Sequence, residues 1–490
     1  MKNSFSKFYQ VLEKYNPWWR GGGFGYVQVE SFRRPVFRRL WDDLESLPQI
    51  ISITGPRRVG KTTIIYQLIQ ALIEDRKVDP QRIVYFSLDD PLLFDREFGS
   101  QFLDTVVDHF REKAEALTLQ AGERPFYFFL DEVQRYQKWE LYLKKYYDLN
   151  YPFRFVISGS ASSPLLKQSR ESLLGRVKDY HLLPFSFKEF LLFRIGERGN
   201  FRGILEKYKD VRTNFISELD LKSLQEDVLA FRREMAHLNT ILDHEVISYH
   251  REGGFPEVWK LADPVKKQEY LWENQINKVL LEDLLLVKQF RKPQNIISLF
   301  THLLVSPGME INLQSLAKNI GADRLRIEEY FRLLEFTDLI RALHKFSRKA
   351  LKVKRGNFKC YLVDFALRNA VLKIWDSVAT DDTALGFYAE NLVFNCLQQW
   401  PEKIELSYFR EKSNEVDFVV SLASQRHLPV EVKFRKTVRR INGMRYFMKK
   451  YKIPLGLRIT KETEIKREEG VLSIPLRYFL LLFESFAGSR

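Results

Sequence analysis

Cysteine, methionine and long apolar runs are all scarce in this chain. Only two cysteines, Cys360 and Cys396, occur among 490 residues. That excludes a disulfide framework, and their spacing excludes a zinc site of the Cys-x-x-Cys kind. No run of about 18 uncharged apolar residues appears, which argues against a membrane-spanning helix. The opening residues, MKNSFSKFYQVLEKYNPWW, are polar and aromatic and lack the apolar stretch of a secretory leader. These features point to the cytoplasm. Internal repeats and low-complexity tracts are also missing.

Apolar side chains are nonetheless plentiful, at 45% of residues with 14% aromatic, which is ample for buried cores. The length suggests roughly three domains. The formal net charge is +15 and the sequence pI is about 9.4. Nucleic acid is the partner that best explains this excess, because lysine and arginine gain affinity by releasing counterions from phosphates. A generally basic, solvated surface is the plainer alternative.

Residues 1–45 read as an N-terminal arm, with Trp18, Trp19, a run of three glycines and then SFRRPVFRRL leading into a helix. Residues 46–194 alternate helical patterns with the runs QIISITG, RIVYFSLDD, FYFFLDE and RFVISGS. Such short, β-branched or aromatic runs are strands buried on both faces, as in a parallel sheet covered by helices. The expected core is therefore a three-layer αβα domain. Residues 195–300 read as a charged helical insertion and helical lid. Residues 301–345 read as a winged helix, with a turn at Gly321 and a second helix carrying Arg324, Arg326 and Arg332 but also Glu328 and Glu329. Those two acids weaken a major-groove role. The basic loop over residues 345–359 is the better phosphate-binding candidate. Residues 346–490 return to mixed α/β character, with strands at VDFVV and LPVEVKF.

The segment IISITGPRRVGKTTIIYQLI carries G-x-x-x-x-G-K-T at residues 55–62, between a strand and a helix. That is the context a phosphate-binding loop needs. Gly55, Pro56, Arg57, Arg58, Val59 and Gly60 would wrap the phosphates with backbone amides, with Lys61, Thr62 and Thr63 opening the helix. Lys61 reaches the β- and γ-phosphates, and Thr62 holds Mg²⁺. The run FYFFLDE ends in Asp131, expected at Mg²⁺, and Glu132, expected as the general base toward water. Taken alone, two acids after a strand would equally suit a helix N-terminus. In RFVISGS, Ser158 or Ser160 suits a γ-phosphate sensor, and a simple turn is the competing account. Arg176 is placed to act as an arginine finger on a neighbouring subunit, which implies a homo-oligomer; a plain surface arginine is the alternative.

These stretches carry a family resemblance. GPRRVGKTT, YFSLDDP, FLDEVQRYQKWELYLKKYYD, ISGSASSPL, ESLLGRVKDYHLLPFSFKEF, GGFPEVW and YLVDFALRNA resemble prokaryotic AAA-type ATPases of STAND/MNS-like character with a C-terminal DUF4143, or PD-(D/E)xK nuclease-like, domain. The resemblance implies a P-loop core of AAA/ASCE type, then a winged helix, then a restriction-endonuclease-like α/β domain. It also implies ATP rather than GTP, consistent with the lack of a fitting N-K-x-D motif. The 195–245 segment falls outside the pattern.

The nuclease-like pattern needs an acid on one strand and E-x-K on the next. Asp417 and Glu431-x-Lys433 supply it, with 13 residues between the two acids. Residues two apart on a strand share a face, so Glu431 and Lys433 project together. Asp417 and Glu431 are candidate ligands for Mg²⁺ or Mn²⁺, with Glu390 as a further ligand, Glu415 nearby, and Lys433 to orient water or stabilise charge. Arg435, Lys436, Arg439, Arg440, Lys449 and Lys450 suit phosphates or a solvated helix face. Two functions follow. One is an ATP-dependent DNA-processing enzyme with a metal-dependent nuclease domain. The other is an ATP-driven switch that binds DNA or protein while its nuclease-like domain is inactive.

Overall fold

The structure is a computed structural model. It describes residues 2–21, 23–25, 27–94, 102–117, 125–160, 173–284, 294–305, 307–347, 357–375, 382–400, 404–422, 426–434 and 441–485. The chain divides into two compact units, Met1–Leu182 and Leu183–Arg490.

The first unit is built on a parallel sheet of β1 (Ile50–Gly55), β2 (Ile83–Ser87), β3 (Phe126–Asp131), β4 (Phe153–Ser160) and β5 (Val177–His181), in the order β2-β3-β4-β1-β5. Every residue of β1 and β3 is buried, as expected of strands covered on both faces. The helices of this unit include α1 (Lys2–Tyr15), α2 (Val36–Ser46), α3 (Lys61–Glu74), α4 (Phe102–Leu117) and α5 (Trp139–Asp148). The sheet's β2 edge is closed by the N-terminal arm. The buried Asn16 side chain donates to Tyr85 O at 2.9 Å and accepts from Tyr85 N at 2.6 Å. The indoles of Trp18 and Trp19 both donate to Ile83 O. The arm thus satisfies backbone groups that an edge strand would leave open.

The second unit begins with helices α6 (Phe187–Ile195), α7 (Phe201–Lys207), α8 (Val211–Glu218), α9 (Leu221–Glu234), α10 (Asn239–Glu252) and α11 (Pro264–Leu271). There follow α12 (Gln294–Val305), β6 (Glu310–Ile311), α13 (Leu313–Ile320), α14 (Arg324–Phe336), β7 (Ile340–His344) and β8 (Phe358–Leu362). The three strands pair antiparallel in the order β6-β8-β7. Gly321 takes φ 71° to stop α13, and Asp323 caps α14 by accepting from Arg326 N. This is the helix and strand order of a winged helix. The helix α15 (Ala366–Leu372) leads on to the final sheet.

That sheet contains β9 (Glu405–Glu411), β10 (Asn414–Ser421), β11 (His427–Lys433), β12 (Gly456–Thr460), β13 (Lys466–Glu468) and β14 (Val471–Pro475), ordered β13-β14-β12-β11-β10-β9. Strands β9, β10 and β11 form an antiparallel meander, while β11, β12 and β14 run parallel. The helix α16 (Asp382–Gln398) precedes the sheet, and α17 (Asn442–Tyr451) and α18 (Leu476–Phe483) punctuate its second half. Met444, Phe447 and Met448 of α17 pack on Phe409, Val416 and Val419. On the other side Phe394 of α16 stacks on Tyr361, with ring centroids 4.3 Å apart. Among the described residues, no helix is long and apolar enough to cross a membrane.

Candidate functional site

The loop Pro56–Gly60 leaves the C-terminal end of β1, the edge where parallel α/β sheets collect ligands. Gly55 has φ 147°, and a Cβ there would run into the Leu182 carbonyl, so the close approach of the chain just past β5 requires glycine. Gly60 takes φ 95° and hands the chain to α3 at Lys61. Arg58 is also left-handed, at φ 59°. The buried Lys61 ammonium donates back to Gly55 O at 3.1 Å and Pro56 O at 2.8 Å. Thr63 follows in the first turn. The loop is braced from the arm, where buried Arg34 donates to Val59 O at 3.1 Å. Gln67 of α3 donates to Glu30 O and Phe32 O.

Strand register sets the polar residues. Leu130 pairs with Ile157 and Ile53 with Ser158, so Asp131 and Ser158 come out beside the loop. The Thr62 hydroxyl donates to Asp131 Oδ2 at 2.6 Å, and Ser158 Oγ donates to Asp131 Oδ1. Ser160 is buried at the tip of β4. Glu132 is held at φ 52°, a left-handed backbone costing a non-glycine residue about 1 kcal/mol. Its carboxylate accepts from Gln134. Burial raises the Glu132 pKa, opposed by the Lys61 ammonium. One neighbour was invisible in the sequence: Tyr85, in an apolar run, directs its hydroxyl to Asp131 at 3.4 Å. Arg176 sits just before β5 and makes a two-pronged ion pair with Asp148 of its own chain, at 2.7 and 3.2 Å.

In the second unit, a shift in β9–β10 register between Val416 and Val419 turns Asp417 toward β11. Asp417 Oδ2 accepts from Val432 N at 2.8 Å. Lys433 lies 2.5 Å from Glu431 Oε1, and buried Glu431 Oε2 has no hydrogen-bond partner among the described residues. Burial and then the nearby Asp417 charge push the Glu431 pKa up to about 7, with Lys433 opposing. Glu390 of α16 accepts from the Tyr361 hydroxyl at 2.7 Å.

Lys359 is the main departure from expectation here. The sequence places it in a basic, phosphate-facing loop. In the structure it sits inside β8, 3% exposed, because β8 is the middle strand of its sheet and is buried along its whole length. Its ammonium lies 3.4 Å from Glu390, 2.8 Å from Glu415 and 3.9 Å from Asp417. Burial opposes its charge, but the three carboxylates outweigh that and hold its pKa above the ordinary value. Among the described residues, no group of three His, Cys, Asp or Glu is arranged to hold a metal ion. Arg348, Lys349, Lys352, Lys354, Arg355, Arg435, Lys436, Arg439 and Arg440 lie outside the described residues. On α14, Arg326 pairs with Asp323 and Arg332 with Glu328. Lys450 pairs with Glu411.

Parts of the chain match known families. Residues 47–191 match the family described as an AAA domain. Residues 243–377 match a domain of unknown function (DUF8612), and residues 385–479 match a domain of unknown function (DUF4143). The chain therefore carries a P-loop, AAA-type ATPase-like domain and, toward its C-terminus, a DUF4143 domain. It is similar to two uncharacterized proteins of Methanocaldococcus jannaschii. One is 24% identical over 89% of this chain and 85% of the relative; the other is 26% identical over 77% and 74%. An uncharacterized protein of Haemophilus influenzae is 20% identical over 76% of this chain and 80% of its own length. Among solved structures, AMPPCP-bound DnaA from Aquifex aeolicus overlaps 61% of this chain and 86% of its own, at 14% identity and a TM-score of 0.22.

Proposed function

We propose that the chain is a magnesium-dependent, cytoplasmic ATPase that couples hydrolysis to DNA bound through its second unit. The observation that carries the ATPase reading is the hydrogen-bonded set of Thr62, Asp131 and Ser158 beside a loop whose carbonyls hold Lys61, at one end of a parallel sheet. Its oxygen donors, the Thr62 hydroxyl 2.6 Å from the Asp131 carboxylate, suit a hard divalent cation. When bound, Mg²⁺ neutralises charge on the β- and γ-phosphates. Lys61 exchanges its two carbonyl partners for phosphate oxygens. The loop amides and the start of α3 hold the remaining phosphate charge. Glu132 orients the attacking water and takes its proton, and its raised pKa brings it nearer a working pH. Ser158, or Ser160 beside it, senses the γ-phosphate. Arg176 leaves Asp148 to reach the γ-phosphate of an adjacent copy, so the active form is a homo-oligomer. Lys61→Ala should abolish binding or turnover, and Glu132→Gln should retain ATP while stopping turnover. Equal ATPase rates in wild type and both variants would refute the assignment.

For the DUF4143 domain, the reading is a nuclease-like fold in which Asp417 and Glu431 bind Mg²⁺ or Mn²⁺ and Lys433 stabilises charge on the scissile phosphate. A second reading is favoured by Lys359, whose ammonium already balances Glu390, Glu415 and Asp417. In that reading the domain binds DNA or protein and does not cut. Incubating wild type and Asp417→Ala with labelled single- and double-stranded DNA and each metal decides between them. Cleavage lost in the variant supports the nuclease. Absence of cleavage by wild type supports the switch.

A further inference from the structure

A cavity of about 330 Å³ opens in the second unit, between α10, the ends of β11 and β12, and the start of α18. That volume is at the small end of ligand sites, which run from roughly 300 to 1,000 Å³. Its wall begins one residue beyond Lys433, at Phe434, and includes Thr460, the register partner of Lys433. It therefore adjoins the Glu431–Lys433 strand end without being part of it.

The polar groups lining it are unusual. His250 is 2% exposed, yet neither ring nitrogen has a hydrogen-bond partner among the described residues. A buried imidazole in that condition has given up its hydrogen bonds to water without replacing them. Its ring packs against Tyr388, with centroids 5.0 Å apart, and burial lowers its pKa to about 3. It is therefore neutral, with one donor and one acceptor to offer. Arg477 shows the same pattern: its Nη1 pairs with Asp243, while its buried Nε has no partner among the described residues. Lys461 adds a second cation, its Nζ 5.9 Å over the Phe434 ring. Arg477 also lies in the opening turn of α18, whose Pro475 N-cap supplies no side-chain hydrogen bond, and the helix dipole there favours an anion. Aliphatic side chains, among them Ile247 and Leu385, complete the wall.

Asp243 and His250 lie seven residues apart on one face of α10. At 1.5 Å per residue that separates the Arg477 end from the imidazole by about 10 Å. The site thus offers cations at one end and a hydrogen-bonding ring at the other, with an aromatic face and apolar walls. We propose that it binds a nucleoside monophosphate, either free or as the phosphorylated terminal nucleotide of a single strand, with phosphate toward Arg477 and Lys461 and base toward His250. Asp243, already neutralised by Arg477, accepts from sugar hydroxyls. The choice of nucleotide rests on the DNA-binding reading above; the orphaned groups do not.

The test is calorimetry on the full chain carrying Lys61→Ala, which weakens the phosphate-binding loop, so that cavity substitutions are read against that background. The titrants are AMP, dAMP and dCMP, and a single-stranded oligonucleotide with either a 5′-phosphate or a 5′-hydroxyl. Binding is expected for the monophosphates, for the 5′-phosphorylated strand over its 5′-hydroxyl form, or for both, and these arms separate a free effector from a strand end. Adding Lys461→Ala, on the cavity's rim, should weaken it about tenfold, the scale of one charge-assisted hydrogen bond. His250→Leu should weaken it similarly while leaving the melting temperature equal or higher. Absence of heat with every monophosphate and no preference for the 5′-phosphate overturns the proposal, as does affinity unchanged by both substitutions. Duplex DNA binding, followed in parallel by gel shift, separates the two claims. Its retention alongside either of those results removes the cavity proposal alone, and its absence from wild type removes the DNA reading.

Discussion

Replacing Lys359 by methionine keeps most of the side chain's volume and removes its charge. The consequence follows from what surrounds it. Its side chain is 4% exposed and its ammonium neighbours Glu390, Glu415 and Asp417, whose side chains are 19%, 36% and 14% exposed. Removing one partner of a buried ionic group strands the others, at about 3–5 kcal/mol. Glu415 is wet enough to be screened, which places the expected loss near the lower end, about 3 kcal/mol. The unit Leu183–Arg490 is large, so each kcal/mol lowers the melting temperature by only about 1.5 °C, and a fall of roughly 5 °C is expected by scanning calorimetry. Stability of the variant should recover as pH falls toward 5, because protonation relieves the stranded carboxylates. It should also recover with millimolar Mn²⁺, which can take the vacated position, and both gains should exceed those of the wild type measured in parallel. A variant that melts with wild type at pH 8 and ignores Mn²⁺ would refute the view that Lys359 is the cluster's internal cation.

Other expectations follow from single contacts. Asn16→Ala leaves the Tyr85 N–H and C=O of the edge strand without their partner, at about 1–3 kcal/mol each; an unchanged urea midpoint would contradict the edge-sealing role. Arg176→Ala should lower ATPase without much loss of ATP affinity, and a fully active monomer would exclude the finger. Buried Asp364 accepts from Gly254 N at 2.6 Å and Ala366 N at 2.8 Å. Burial pushes its pKa up to about 6 against those bonds. The folded state then holds the proton more tightly than the unfolded chain, so this group's contribution to stability declines as pH rises from about 4 to 6. Asp364→Asn should remove that part of the slope; an identical pH profile in the variant would count against it.

Much of the first unit was legible because its signals are local. The four apolar runs became β1 to β4, and glycine spacing between β1 and α3 located the phosphate loop. The edge strand β5, VKDYH, was not recognised, since alternating polar residues on a half-covered edge do not make an apolar run. The brace from Arg34 and the seal by Asn16 depend on contacts some 25 and 69 positions apart, which no local pattern carries. In the second unit, E-x-K correctly placed Glu431 and Lys433 on one strand. Lys359 was misread because its neighbours in sequence are basic, whereas its neighbours in space, on α16 and β10, are acidic. His250 gave no signal at all: its significance lies in the partners it lacks.

The most direct test of the central claim is titration of the full-length chain with the non-hydrolysable analogue AMPPNP in the presence of Mg²⁺, beside Thr62→Val. Saturable one-to-one binding by wild type, with loss of its Mg²⁺ dependence in the variant, is the predicted result. Well-folded wild-type protein that gives no binding signal, with or without the metal, would contradict the account.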